Sequence, residues 1–162
     1  MVKAYAALSA KEALKPFKYK AEALKENEVR IKVQSCRICH SDISAIDNSW
    51  GKSNYPLVAG HEVIGEIIEL GSETTQHKHG DTVGLGWHSG YCNNCSHCKV
   101  GDHNFCSKTK KTVFSQYGGF AEEVVAEETS VISIPKKLNH KDAGPLLCGG
   151  ITVFTPIVEF AI

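Results

Sequence analysis

The stretch VRIKVQSCRICHSD, residues 29–42, joins a strand pattern to a group of reactive side chains. Apolar and polar residues alternate from Val29 to Val33 and the apolar positions are β-branched, so this part predicts a β-strand with one buried face. Cys36, Cys39 and His40 follow directly. Cysteine and histidine at the end of a strand indicate either a metal site or a redox pair.

Similar strand patterns recur further along the chain, at residues 63–70, 82–85, 121–126 and 131–134. Short strands separated by glycine and proline favour a barrel or a sandwich. Helical patterns are weaker. Ser41 and Asp42 predict the cap of a short helix that runs to about Asn48, and residues from 139 onward read as helical with interruptions at residues 149–150 and at Pro156. The sequence therefore predicts a mainly β fold with short helices.

The composition is that of an ordinary globular chain. Among 162 residues, 18 Lys and Arg balance 18 Asp and Glu, so no net charge favours a nucleic-acid partner. No apolar run approaches the roughly 18 to 20 residues that a membrane-spanning helix needs, and the apolar patch within residues 1–10 is too short for a signal peptide. We therefore expect a cytoplasmic protein with no nucleic-acid and no membrane partner.

Four of the seven cysteines form a tight cluster with the spacing C-x2-C-x2-C-x7-C: Cys92, Cys95, Cys98 and Cys106. Four thiolates saturate a tetrahedral zinc ion, so this pattern predicts a structural zinc site with no open position. Ferredoxin-type iron–sulfur clusters begin with the same spacing but continue x3-C-P. A zinc-ribbon module that binds nucleic acid is a further alternative, and the neutral charge counts against it. His97 and His103 are expected to be solvated surface residues.

The remaining cysteines suggest a second site. Cys39, His61 and Cys148 would supply the Cys2His set of a catalytic zinc with an open fourth position. Two alternatives remain open: Cys36 and Cys39 as a redox pair, and Cys148 as a small buried residue.

Four motifs, taken in order, resemble the zinc-dependent alcohol dehydrogenases of the medium-chain dehydrogenase/reductase family. They are residues 36–42, residues 55–62 with Gly60-His61-Glu62, the four-cysteine lobe, and residues 146–152. The cinnamyl alcohol dehydrogenase branch is the most similar, through residues 40–42, 48–51 and 146–148. The resemblance implies a GroES-like β-barrel catalytic domain over residues 1–162, with a structural-zinc lobe at residues 86–110.

The resemblance also implies two zinc ions and their ligands. The cluster at Cys92 would hold the structural ion. Cys39, His61 and Cys148 would hold the catalytic ion, with Glu62 behind it as an alternate ligand. Asp42 would hydrogen-bond the ligating histidine and fix its ring.

The implied reaction interconverts primary alcohols and aldehydes by hydride transfer between a zinc-bound alkoxide and NADP(H), the cofactor that this branch generally uses in preference to NAD(H). Ser41 would take the proton, His40 would meet the cofactor pyrophosphate, and Thr152 would touch the nicotinamide. Ser44 stands where many relatives carry a relay histidine, so the resemblance implies proton exit through water. Cys36 has no ligand role in the pattern and is expected to be a packed thiol.

Trp50 and Trp87 resemble residues near the family's substrate pocket, which would favour aromatic or medium-chain aliphatic substrates. The family also carries a nucleotide-binding half with G-x-G-x-x-G, which this sequence lacks. We therefore expect a cofactor domain to be missing after residue 162, and the chain alone to be inactive. The whole enzyme is expected to be a homodimer or larger oligomer, and the apolar residues near 154–160 are expected to favour self-association. The alternative is a zinc-stabilised binding or scaffold module without activity.

Overall fold

A computed structural model describes residues 1–161 of the chain. Strands dominate, in the order β1 (Val2–Ala6), β2 (Lys15–Tyr19), β3 (Glu28–Arg37), β4 (Glu62–Leu70), β5 (Thr82–Leu85), β6 (His88–Gly90), β7 (Lys110–Lys111), β8 (Glu123–Glu127) and β9 (Val131–Ser133). The helices are α1 (His40–Ile46), α2 (Ser96–Lys99), α3 (His140–Ala143) and α4 (Gly149–Phe160), with 3-10 turns at His103–Phe105, Glu128–Ser130 and Gly144–Leu147. The predicted mainly β fold with short helices is confirmed.

The main sheet is antiparallel and has the strand order β8-β3-β4-β5-β9. The five predicted strands all fall on it, although β3 continues to Arg37, well past the predicted end at Val33. Alternating side chains of these strands form the main core, whose buried members are Val29, Ile31, Val63, Ile67, Val83, Leu85, Val124, Ala126 and Val131. The continuation of β3 carries the chain directly to Cys39.

Four strands were not predicted. Strand β1 pairs with β2 and joins the segment before β8 through the bridge between Ala4 and Ala121. Alanine has low strand propensity and Pro16 lies inside β2, so neither segment has a strong strand pattern. Strands β6 and β7 are short and polar, and they pair with each other.

Helix α1 differs from its prediction at both ends. Its N-cap is Cys39, and it ends at Ile46 with Asp47 as the C-cap, two residues before the expected end at Asn48. Asp42 does contribute to the cap, because its carboxylate accepts the backbone N–H of Cys39 at 3.0 Å. Ser41, which was expected to share in the cap, instead has its hydroxyl against the sulfur of Cys39.

The predicted interruption at Pro156 is wrong. Helix α4 begins at Gly149 and continues through Pro156 to Phe160. Proline lacks the N–H that would bond the carbonyl four residues earlier, so the helix gives up one hydrogen bond there without ending.

None of the α4 residues is buried. Its large apolar side chains are mostly solvent-exposed, from 52% at Ile157 to 74% at Phe160. The expected self-association through this helix stays a prediction. Across residues 1–161, helices that combine the length and the apolar character needed to cross a bilayer are absent.

Candidate metal centres

Asp42 and His61 are fully buried and joined to each other. One oxygen of the Asp42 carboxylate lies 2.9 Å from Nδ1 of His61 and accepts the backbone N–H of Gly60 at 2.8 Å. Its other oxygen accepts the N–H of Cys39. A carboxylate at Nδ1 keeps the proton on that nitrogen and leaves Nε2 as a free donor atom for a metal. Asp42 thus fixes both the start of α1 and the imidazole before β4.

Four potential ligands meet at this point: Cys39, His61, Glu62 and Cys148. One donor atom of each lies within 4.8 Å of the others. The sulfurs of Cys39 and Cys148 are 3.9 Å apart, and Nε2 of His61 lies 3.4 Å from the sulfur of Cys148. Around a tetrahedral zinc ion, the usual bond lengths place two sulfurs roughly 3.8 Å apart and a sulfur and a nitrogen roughly 3.6 Å apart. The residues therefore fit a single zinc ion.

The two thiols of this cluster differ in acidity. Burial raises the pKa of Cys39, but hydrogen bonds from the backbone and hydroxyl of Ser41 outweigh it, so the pKa is lowered. Burial and the neighbouring Cys39 raise the pKa of Cys148 to about 12. Burial also raises the pKa of Glu62. Without a metal Cys39 is therefore the more acidic of the two thiols, whereas a bound cation would stabilise the deprotonated form of every ligand.

The second cluster contains Cys92, Cys95, Cys98 and Cys106, whose sulfurs also lie within 4.8 Å of one another. The sulfur of Cys98 is 3.5 Å from that of Cys95 and 3.9 Å from that of Cys92. Backbone N–H groups of Asn94 and Cys95 lower the pKa of the Cys92 thiol to about 6. Sulfurs this close leave room for one ion and not for a multi-iron cluster.

The two histidines of this lobe differ. His97 is exposed, as predicted, with its ring 5.7 Å from that of Phe105. His103 is half-buried because it packs on Tyr91, with ring centroids 4.8 Å apart, so the expectation of a fully solvated ring was wrong for His103.

Aromatic side chains line one side of the His61 cluster, the group formed by Cys39, His61, Glu62 and Cys148. The ring of Trp87 meets that of His61 edge to face at 4.8 Å, and Trp50 and Phe114 pack on Trp87 at 6.0 Å and 5.9 Å. Both tryptophans are candidates from the sequence. Phe114 has no such signal, since its neighbours form no recognisable strand pattern.

Comparison with known families gives a match over residues 25–136 to the alcohol dehydrogenase GroES-like domain. The chain belongs to this family. This match confirms the expected GroES-like fold. Individual relatives confirm the expected likeness to the cinnamyl alcohol dehydrogenase branch.

Among curated proteins, the GroES-like domain is 52% identical to aldehyde reductase AdhA of Synechocystis over all of this chain and 48% of that protein. It is 41% identical to a probable cinnamyl alcohol dehydrogenase of Eucalyptus globulus over 98% of this chain and 46% of that protein. The chain thus spans about half the length of the curated relatives that it matches.

Solved structures agree. A cinnamyl alcohol dehydrogenase from Sorghum bicolor superposes with a TM-score of 0.93 at 36% identity, over 99% of this chain and 48% of that chain. A Helicobacter pylori CAD complexed with NADP(H) superposes with a TM-score of 0.92 at 33% identity, over 98% of this chain and 48% of that chain.

The other predicted site residues lie on elements that carry or adjoin the ligands. His40 is exposed at the first position of α1, and Thr152 is exposed on α4, where its N–H donates to the carbonyl of Cys148. Ser44 is buried on α1. Cys36 packs against the main core, and burial raises its pKa to about 12, as expected for a packed thiol and not for a reactive redox partner of Cys39.

Gly60 holds His61 in place through a backbone conformation that other residues avoid. Its φ is +101°, and a Cβ there would lie 2.7 Å from the backbone nitrogen of Phe120 and 2.9 Å from the sulfur of Cys36. We expect Gly60→Ala to lower the free energy of unfolding by about 3 kcal/mol, because strain and overpacking add. Urea unfolding followed by tryptophan fluorescence measures this loss.

Gly51→Ala is the matched control. Gly51 also has a positive φ, +65°, but nothing lies within 4 Å of its would-be Cβ. Only the conformational cost remains, about 1 kcal/mol. Equal losses in the two variants would contradict the packing argument for Gly60.

The affinity of the His61 cluster for zinc is expected to depend on pH. Burial lowers the pKa of His61, but the hydrogen bond and charge of Asp42 outweigh it, so the pKa is raised above its usual value. Zinc binds neutral imidazole, and a raised pKa lets protons compete at higher pH. Zinc affinity should therefore fall as the pH drops through this raised pKa, and competition titrations with a chelator from pH 8 to pH 5 measure it. The thiols also release protons on binding zinc throughout this range, so the ligand role of His61 predicts that the fall in affinity steepens below its raised pKa. A slope that does not steepen down to pH 5 would contradict that role.

Proposed function

We propose that this chain is the catalytic domain of a zinc-dependent alcohol dehydrogenase that interconverts primary alcohols and aldehydes with NADP(H). The observation that carries the proposal is the convergence of the donor atoms of Cys39, His61, Glu62 and Cys148 within 4.8 Å. This set leaves one coordination position open when three residues bind zinc, which a purely structural site does not need. The domain is proposed to span residues 1–162, with its structural-zinc lobe at residues 86–110.

Each cluster has a proposed metal role. Cys39, His61 and Cys148 would hold a catalytic zinc, with Glu62 as an alternate ligand, and Cys92, Cys95, Cys98 and Cys106 would hold a structural one. A catalytic zinc, when bound, supplies a Lewis acid that lowers the pKa of an alcohol or polarises an aldehyde.

The protein's own groups then handle orientation and the proton. Asp42 keeps Nε2 of His61 aimed at the ligand cluster, because it fixes the proton on Nδ1. The Ser41 hydroxyl lies beside Cys39 and can both accept and donate a hydrogen bond, so it is proposed to take the substrate proton. Ser44 carries no ionisable group, so the proton is proposed to leave through water.

Cofactor and substrate contacts complete the proposal. His40 follows Cys39 on α1 and Thr152 lies on α4, four residues after Cys148, and both are exposed. They are proposed to meet the cofactor pyrophosphate and the nicotinamide. NADP(H) is supported by the Helicobacter pylori relative, which was solved with that cofactor. Trp50 and Trp87 lie against the His61 side and would favour aromatic or medium-chain aliphatic substrates. Oligomer formation by the whole enzyme and a cytoplasmic location stay predictions.

A chimera tests the proposed activity. Residues 1–162 would replace the matching half of aldehyde reductase AdhA of Synechocystis, which is 52% identical over this chain. We expect the chimera to oxidise NADPH in the presence of cinnamaldehyde or hexanal, and the 162-residue chain alone to be inactive. Ser41→Ala in the chimera should lower kcat while leaving the zinc content unchanged.

Two outcomes would contradict the proposal. A folded chimera that binds NADPH and zinc but reduces no aldehyde would favour the scaffold alternative. Turnover by the isolated chain would disprove its expected inactivity.

A further inference from the structure

Residues 92–109, the part of the four-cysteine lobe between its two strands, join the main body of the protein through a short two-stranded neck. Strand β6 leads into the lobe and β7 leads out of it, and they pair with His88 opposite Lys111 and Gly90 opposite Lys110. The backbone hydrogen bonds described for residues 92–109 join residues of the lobe to one another, such as Lys99 to Cys95 and Cys106 to His103. The fastening of the lobe to the sheet therefore depends on contacts at the neck.

Glu127, the last residue of β8, lies against both strands of that neck. Its side chain is only 6% exposed. One carboxylate oxygen accepts the backbone N–H of Tyr91, the residue before Cys92, at 3.0 Å. The other oxygen accepts a hydrogen bond of 2.5 Å from Nζ of Lys110, four residues after Cys106. A single buried carboxylate thus bonds the residue directly after the strand that enters the lobe and the first residue of the strand that leaves it.

Gly90 makes this approach possible. A Cβ at Gly90 would lie 2.6 Å from the carboxylate carbon of Glu127, a distance that real side chains do not tolerate. Glu127 itself is held by the main sheet, since its backbone is paired with Glu28 of β3. Because the backbone of Glu127 belongs to the main sheet, its carboxylate holds the neck at a fixed place against that sheet.

We propose that Glu127 is a positioning residue that fastens the metal-binding lobe to the main sheet by bonding both strands of its neck. The inference rests on the proposed zinc occupancy of the lobe for its metal readout only. Charge-assisted hydrogen bonds to buried carboxylates are among the stronger ones in proteins. Losing them loosens the neck, which lets the cysteine ligands separate and release the ion more often.

The test follows release of the lobe zinc into a coloured chelator. All variants carry Cys148→Ala, so that only the lobe ion remains to be released. Glu127→Gln retains an oxygen for Tyr91 but places an amide beside the Lys110 ammonium. Gly90→Ala displaces the same carboxylate from the opposite side. Both variants should release zinc roughly tenfold faster than the Cys148→Ala parent, the scale expected for one charge-assisted hydrogen bond.

Glu128→Gln is the matched control. Glu128 is the neighbouring carboxylate, is also buried at 6% exposure, and also accepts backbone N–H groups, but from Thr75 and Gln76. Glu128→Gln should leave the rate of zinc release at that of the Cys148→Ala parent. Equal acceleration by Glu128→Gln would reduce the effect to general destabilisation and overturn the proposal, as would parental rates in both Glu127→Gln and Gly90→Ala.

Hydrogen exchange provides a readout that needs no metal. Amides of residues 91–106 should exchange faster in Glu127→Gln and Gly90→Ala, while those of β3 and β4 keep their protection. If the parent lobe holds no zinc, the structural-metal part of the proposed function fails, and exchange in the metal-free chain still decides the role of Glu127. If Glu127→Gln does not fold, Gly90→Ala and Lys110→Gln carry the test, and unchanged exchange in both overturns the proposal.

Discussion

Replacing Cys148 with alanine should lower the zinc content of the chain from two ions, one per cluster, to one. The sulfur of Cys148 lies 3.9 Å from that of Cys39 and 3.4 Å from Nε2 of His61, so its loss removes one corner of a tetrahedral site. Two ligands and a carboxylate hold zinc far less tightly than a set with two thiolates. The Cys92 cluster lies elsewhere in the chain and should keep its ion. Elemental analysis of protein purified without chelator measures both numbers.

Cys36→Ala serves as the matched control, because Cys36 is another partly buried thiol of the same region but packs against the main core. It should retain two zinc ions per chain, one for each cluster. One zinc in the parent and in Cys148→Ala alike would mean that only the Cys92 cluster is filled, and would favour the scaffold alternative.

The second large effect is expected for Asp42→Asn. Asp42 is fully buried and its carboxylate serves three partners, namely His61 and the N–H groups of Gly60 and Cys39. The asparagine amide has one oxygen and would aim an NH2 group at another donor. The zinc affinity of the His61 cluster should fall about 10- to 100-fold, and the free energy of unfolding should fall by about 2 kcal/mol.

Competition with a chelator measures the affinity, and urea unfolding measures the stability. Asp47→Asn, at the C-cap of the same helix and only half-buried, should change neither quantity. Similar losses in the two variants would show that the helix, and not the contact with His61, accounts for the effect.

The main sheet could be predicted from the sequence because its strands carry their own signal. Val29, Ile31 and Val33 alternate with polar residues, and β4 and β5 are likewise rich in valine, isoleucine and leucine. Strand β1 contains two alanines and β2 contains Pro16. The two strands form by pairing with each other, and β1 also bridges to the segment at Ala121. Pairing of that kind depends on tertiary contacts, which local propensity does not encode.

The metal clusters were predictable in residue type but not in shape. Cysteine and histidine are recognisable as potential metal ligands by residue type. The short spacing from Cys92 to Cys106 is enough to predict that four sulfurs lie close together. Cys148 is a candidate ligand by residue type, but it lies 109 positions after Cys39. Its approach to Cys39 depends on the fold of the whole segment between them, which local patterns do not encode. Glu127 carries no local signal at all, because a glutamate at the end of a strand is usually solvated.

The candidate ligands of the His61 cluster lie far apart along the chain. Cys39 and His61 belong to the first part of the sheet, whereas Cys148 enters at the start of α4, 87 positions after His61. An ion shared by them would act as a reversible cross-link that closes a long loop and lowers the entropy of the unfolded chain, as a disulfide does. The sulfur of Cys148 would therefore also tie the start of α4 to the region of Cys39 and His61. Removing the ion would free α4 before the main sheet opens.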